Sequence, residues 1–223
     1  MDIKYQKAIE AENNIYLKMK EELSVPKGIS TGWQLFDKAL DWLCDGTETV
    51  LDFGCGNGSL LFLCANRGTK KHYGIDLASE GISCANLRAK RMDKGEYCFD
   101  VGSIEKLHKR GDKSIDGIIL SNILDNMYPK DVKILLSECN RILKENGKIL
   151  IKLNPFITDE QVEEWNMKEL QKDVYDDGFI LWNRKTSEWI EDLSSIYKIV
   201  DEYEFFIPEA KQVNRIILLG KYQ

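Results

Sequence analysis

Apolar positions along this 223-residue chain recur first at helical spacing and then in short runs. Over residues 3–23, Ile9, Ile15, Tyr16, Met19 and Leu23 fall near one helical face. Val25-Pro26-Lys27-Gly28 ends that segment, and a second helix is predicted over residues 32–43. Short apolar runs then alternate with helical stretches. Residues 49–53, 72–75, 97–99, 115–121 and 148–153 read as strands, and 59–66, 79–91 and 129–143 as helices. The last of these helices has clear punctuation. Pro129 suits a first turn, Gly147 follows the end, and Val132, Leu135, Leu136, Cys139 and Leu143 share a face.

Strands alternating with helices imply an α/β fold: a Rossmann-like, mostly parallel seven-stranded sheet with helices on both faces. The pattern changes after Asn154-Pro155. Residues 156–185 show no clear strand and are expected to form a helical lid, with Thr158 and Gln161 as a capping box. A helix over 187–196 precedes two β-rich runs, 199–207 and 214–222, which predict an antiparallel C-terminal hairpin at the sheet edge. The expected organisation is one domain over 1–223. It comprises helical cover (1–45), a ligand-binding core (46–154), the lid insertion (155–186), and a helix with the hairpin (187–223).

Composition narrows the function classes. Hydrophobic residues make up 43% and charged residues 30%, a balance typical of soluble domains. The net charge of -6 argues against nucleic acid as the partner, since such binders carry a basic face. No apolar run reaches the ~18 residues of a membrane span. Met1-Asp2-Ile3-Lys4-Tyr5 lacks the apolar core of a signal peptide, so a cytoplasmic location is expected. The six cysteines form no CxxC pair and read as reduced, mostly buried residues. With His72 and His108 the only histidines, no metal site is expected.

The most informative string is Val50-Leu51-Asp52-Phe53-Gly54-Cys55-Gly56-Asn57-Gly58. It is a strand ending in an acid, followed by a turn that brings bare backbone against a ligand. Two ligand classes compete for it. A dinucleotide fingerprint needs G-x-G-x-x-G, but the third glycine is Gly58 and Ser59 stands where the fingerprint needs glycine. Asp76 ends the next strand about 20 residues after Gly56, the offset at which an acid meets a ribose.

With Asp52 two residues ahead of Gly54, the string resembles the first motif of the class I S-adenosylmethionine-dependent methyltransferases. Later segments are similar in order: Tyr73-Gly74-Ile75-Asp76, Phe99-Asp100-Val101-Gly102, the fourth strand Ser114–Asn126, and Arg141-Ile142-Leu143-Lys144-Glu145-Asn146-Gly147. The likeness covers about residues 48–154. It implies S-adenosyl-L-methionine as cofactor, with S-adenosyl-L-homocysteine as product. It places Asp52, Gly54, Cys55, Gly56 and Gly58 at the methionine end, and Asp76 and Leu77 at the ribose. Asp100 and Val101 fall at the adenine, and Ser121 and Asn122 near the methionine part. Relatives often carry histidine where Asn126 stands, so Asp125 and Asn126 are the candidates for a catalytic or turn-capping role. Asn146 replaces the first glycine of the family's usual turn, where a left-handed residue is expected.

The expected function is methyl transfer by in-line displacement to a small-molecule acceptor. No Asn-Pro-Pro-Tyr motif points to DNA-base amines and no Pro-Cys pair to cytosine. Lys152 resembles a ribose methyltransferase lysine without evident partners, and the cysteines form no cluster for arsenic. The expected lid is net acidic, which suits a cationic or amine acceptor, and Trp165, Phe179 and Trp182 are candidates for a pocket or a minor core. Tyr5, Tyr16 and Trp33 are candidates to close the other side. The alternatives are a non-catalytic cofactor- or partner-binding module, an RNA or protein methyltransferase, and an NAD-dependent oxidoreductase.

Overall fold

Period-two alternation in the strands sorts side chains onto the two faces of a single sheet. The computed structural model describes residues 3–20, 23–176 and 178–222. Its main strands are β1 (Thr49–Phe53), β2 (Lys71–Asp76), β3 (Glu96–Val101), β4 (Ile115–Ser121) and β5 (Leu143–Leu153). Two further strands, β9 (Tyr197–Ile207) and β10 (Gln212–Lys221), complete a seven-stranded sheet of order β3-β2-β1-β4-β5-β10-β9. The first five strands run parallel, and β10 lies antiparallel between β5 and the edge strand β9. The expected fold class is therefore observed.

Alternate residues feed two cores. Leu51, Ile118, Leu120, Ile149, Ile151, Ile217 and Leu219 join one cluster. Val50, Ile119, Leu150, Ile216 and Leu218 join the other. The first core packs against α5 (Pro129–Ile142) and α7 (Thr186–Ser194), and the second against α2 (Gln34–Cys44) and α3 (Ser59–Asn66). Helix α1 (Gln6–Met19) contributes Ile9 to the first core, and α4 (Ser79–Ala89) buries Ile82, Cys84 and Ala85. The strand order reverses between β1 and β4. A cleft opens at the carboxyl ends of the strands there, the usual ligand position in open α/β sheets.

Three expectations are corrected. The 155–186 segment is mostly strand and loop rather than helix. It has one short helix, α6 (Asp159–Glu164), started by the expected Thr158–Gln161 capping box. A separate antiparallel meander follows: β6 (Lys168–Gln171), β7 (Val174–Asp176) and β8 (Ile180–Trp182). Val174, Tyr175, Ile180, Leu181 and Trp182 favour strands, and Asp173, at φ 61°, supplies the tight turn. These strands are too short for alternation to stand out against the surrounding acids. Strand β5 starts at Leu143, directly after α5, and neither Asn146 nor Gly147 adopts positive φ. The expected left-handed turn is replaced by a continuous strand with a register shift against β4. Helix α1 ends at Met19, and the end expected for it at residue 23 spans positions 21–22, outside the described residues.

Candidate functional site

A cavity of about 950 Å³ occupies the cleft. Its floor is the turn after β1. Gly54, Gly56 and Gly58 have φ of 80°, 51° and 78°, a region that side chains rarely adopt. Gly54 donates its N–H to the Ile75 carbonyl at 2.7 Å, which ties the turn to β2. The turn is closely covered: a Cβ at Gly54 would lie 2.0 Å from Ile123 Cδ1, and one at Gly56 2.1 Å from the Tyr16 hydroxyl. Gly54 lines the cavity, whereas Tyr16 roofs Gly56. Cys55 is buried, and Gly58 packs against Phe99 and Phe62.

Three carboxyl groups share this end. Asp76 lines the cavity and accepts two backbone N–H groups, from Gly56 and from Ala78, each at 2.7 Å. Burial raises its pKa, and these two bonds oppose the rise. Asp52 is 1% exposed and its Oδ1 has no hydrogen-bond partner. Burial, with the nearby Asp76 charge, pushes its pKa up to about 8. Glu12 of α1 lines the cavity, and burial plus Asp76 push it up to about 7. The Tyr16 hydroxyl is raised by burial and by the same acids. Lys211, on the β9–β10 turn, is the one Lys or Arg among the described lining residues.

The β3 exit differs from expectation. Asp100 pairs with Arg110 at 3.4 Å, and Val101 is 46% exposed. Neither lines the cavity, whereas the neighbouring Gly102 and Ser103 do. Leu77, Ser121 and Asn122 do line it. Asn122 has φ 55°, and its Oδ1 accepts from Lys152 Nζ at 2.6 Å. Lysine can only donate, so the Asn122 amide must turn its oxygen to Lys152, leaving its NH₂ as the group not held there. Burial lowers the Lys152 pKa to about 8 against the opposing pull of Asp125.

Asp125 and Asn126 separate. Asn126 lines the cavity and accepts from the Asn154 side-chain amide at 3.0 Å. Asp125 is fully buried behind it, off the cavity wall. Its Oδ2 accepts the Asn154 N–H at 2.6 Å, and Arg215 holds the Asn154 carbonyl at 2.9 Å. Burial raises the Asp125 pKa, while the Asn154 N–H and Arg215 lower it. Opposite the glycine turn, the walls are Phe156, Ile157, Trp165, Phe179 and Leu181 from the insertion and Val213 from the hairpin. Tyr5 and Tyr16 close the α1 side. Trp182 instead packs edge-on to Trp189, and Trp33 stacks on Phe36 in the other core.

Glu12 was missed by sequence reasoning, although Ile9, Glu12 and Tyr16 sit three and four residues apart on one stripe of α1. The acid within an apolar stripe was the available signal. Nothing local marks Ser103 or the Lys152–Asn122 contact, which joins positions 30 residues apart in sequence.

The description "methyltransferase domain" matches residues 45–200 of the chain. An uncharacterized RNA methyltransferase of Bacillus cereus is 31% identical over 137 residues, covering 51% of this chain and 29% of that protein. A ubiquinone biosynthesis O-methyltransferase of Neisseria meningitidis is 27% identical over 102 residues, covering 46% of this chain and 42% of that protein. The chain thus spans less than half the length of these curated relatives. The N-methyltransferase NodS of Bradyrhizobium japonicum, crystallised with S-adenosyl-L-homocysteine, superposes with a TM-score of 0.68 at 15% identity over 100% of both chains. At that identity the likeness speaks for the fold.

Proposed function

Because the chain belongs to the methyltransferase domain family, we propose that it transfers a methyl group from S-adenosylmethionine to a small-molecule acceptor. The carrying observation is a single cavity with two chemically different halves. At the glycine turn Glu12 and Asp76 line the cavity, and Asp52 lies buried off its described wall with an oxygen that has no hydrogen-bond partner. Opposite are apolar and aromatic walls broken by amides. Burying unpartnered acids is costly unless a cation joins them, and the cofactor carries both an ammonium and a sulfonium. The site therefore fits this group. Asp76 keeps lone pairs for ribose hydroxyls after accepting two N–H groups. Asp52 and the turn amides serve the methionine end, with Gly54 on the cavity wall and Tyr16 holding the turn from above. Gly102 and Ser103 take the adenine end with Leu77, in place of Asp100 and Val101.

When bound, the cofactor supplies a methyl group on a positively charged sulfur, which leaves as a neutral thioether when a nucleophile takes the methyl. The protein's part is to align the acceptor and exclude water. Phe156, Trp165, Phe179 and Val213 supply the apolar walls, and Asn126 with Asn154 offers one amide donor and one acceptor to orient the substrate. Asp125, off the cavity wall, holds Asn154 rather than acting as a base.

The resemblance to a protein named as an RNA methyltransferase supports a second reading, RNA as acceptor. Against it stand the net charge of -6 and an acceptor wall with Lys211 as its one Lys or Arg among the described residues. Incubation with methyl-labelled S-adenosylmethionine and separate pools of metabolites, RNA and protein decides between them. Label is expected in metabolites. Label in RNA or protein alone overturns the small-molecule reading, and no label in any pool, with cofactor bound, favours a non-catalytic binding module.

A further inference from the structure

Helix α1 brings to the cofactor half of the cavity a carboxylate that the glycine-turn motif does not contain. Glu12 lies between Ile9, which anchors the helix in the core, and Tyr16, which covers Gly56. It lines the cavity together with Asp76. The charged and titratable groups facing it are Asp76 at the end of β2 and Tyr16 on its own helix, and behind them Asp52 on β1 and Cys55 in the turn act on Tyr16. On α4, Glu80 is already paired with Lys20. Glu12 thus joins Asp76 in a half-enclosed space whose described lining residues offer no cation at this end, with Asp52 buried behind them.

We propose that Glu12 makes the site selective for the charge of its ligand, favouring the cationic methyl donor over the neutral product. The inference rests on the proposed function and deepens it. Donor and product share the adenosine, the ammonium and the carboxylate, so hydrogen-bonding groups treat them nearly alike. They differ in the sulfonium charge, which transfer removes. A carboxylate in a poorly screened site acts on that difference. Its effect is strong before transfer and weak after it, which eases product release. Burial and the Asp76 charge push the Glu12 pKa up to about 7, so a cation in the site also draws it into the charged form.

The test is calorimetric titration of the full chain at pH 8 with S-adenosylmethionine, S-adenosylhomocysteine and sinefungin, an analogue with an amine in place of the sulfonium. Glu12→Gln is expected to weaken binding of the two cationic ligands by about tenfold, the scale of one incompletely screened charge contact. Binding of S-adenosylhomocysteine should stay within about twofold, which also reports an intact site. Glu12→Asp, which keeps the charge, is expected to recover most of the selectivity. Equal weakening of all three ligands, or no change in their ratio, overturns the proposal while leaving the cofactor reading in place. Wild-type protein that binds none of the three overturns the cofactor reading itself. Asp52 titrates in the same range, so the affinity ratio at fixed pH, rather than a pH profile, is decisive.

Discussion

At the scale of single residues, the site depends on backbone that tolerates no side chain and on charges with few partners. Gly56 combines φ 51° with the Tyr16 hydroxyl 2.1 Å from where its Cβ would stand. A β-branched residue there is strained by about 1–3 kcal/mol and pushes Tyr16 aside. Gly56→Val is expected to keep a cooperative fold and to weaken cofactor binding by more than about a hundredfold, roughly 2.7 kcal/mol. Calorimetric titration beside a urea melt checks this, and unchanged affinity counts against the site. Asp125 raises a different question, because it looks catalytic by position in the motif yet sits behind the wall. Asp125→Ala leaves Lys152 and Arg215 without their shared acid and the Asn154 N–H unpaired. The expected cost is about 3 kcal/mol or more of stability, read from denaturant midpoints. Lost turnover with unchanged stability assigns Asp125 to chemistry instead. Asp52, Gly54, Asp76 and Asn122, singled out in the sequence, all stand at the carboxyl ends of β1, β2 and β4, Asp52 buried and the others on the cavity wall, because each lies at or just past a strand end that topology fixes. Asp100 stands off the cavity wall, paired with Arg110, while Ser103 lines it, a difference set by a partner ten residues away that no local pattern shows.

At the scale of elements, α1 is held at its start by Tyr5 and along its later turns by α4, where the Glu80 N–H donates to Asn13 Oδ1 and Lys20 pairs with Glu80. The Tyr5 hydroxyl donates to Asp131 Oδ2 at 2.5 Å and accepts the Tyr128 N–H at 3.1 Å. Both partners flank the start of α5, so α1 is pinned beside the acceptor wall while its far end covers the glycine turn. Tyr5→Phe removes both bonds, worth about 1 kcal/mol each in net terms. The expected result is amide exchange in α1 faster by about five- to thirtyfold, with β1, β4 and β5 unchanged. Equal acceleration everywhere means that α1 opens only with the whole domain. The insertion shows the limit of pattern reading. Its capping box was legible, since Thr158 and Gln161 act within one turn. Its strands were not, since each is three or four residues long and is fixed by its neighbours in the meander.

At the scale of the whole molecule, the buried acids tie stability to pH and to the ligand. Asp52 rises from 3.8 to about 8 on folding, and Glu12 from 4.5 to about 7. A raised acid stabilises the fold fully below its unfolded pKa, and that contribution is lost as pH rises through the folded value. The window therefore runs from about pH 4 to about pH 8. His72 acts in the opposite sense: burial lowers it from 6.5 to about 4, so its contribution is present above 6.5 and lost as pH falls. Comparison of Asp52→Asn with the wild type isolates the acid. The substitution is expected to flatten the decline of melting temperature between pH 6 and 8, and a decline of unchanged slope contradicts the burial argument. The wild-type thermal shift caused by S-adenosylmethionine should grow over the same range. Among the described residues no helix is long and apolar enough to cross a membrane. The sequence by itself determined the alternating strands and helices, the sheet class, the glycine turn and the acids at strand ends, because these follow from local periodicity and from backbone freedom at glycine. Only the tertiary structure decided that Tyr16 covers the turn, that Glu12 stands beside Asp76, and that Lys152 turns the Asn122 amide. Those contacts join elements far apart in sequence, and burial, which sets their charges, is a property of the assembled fold.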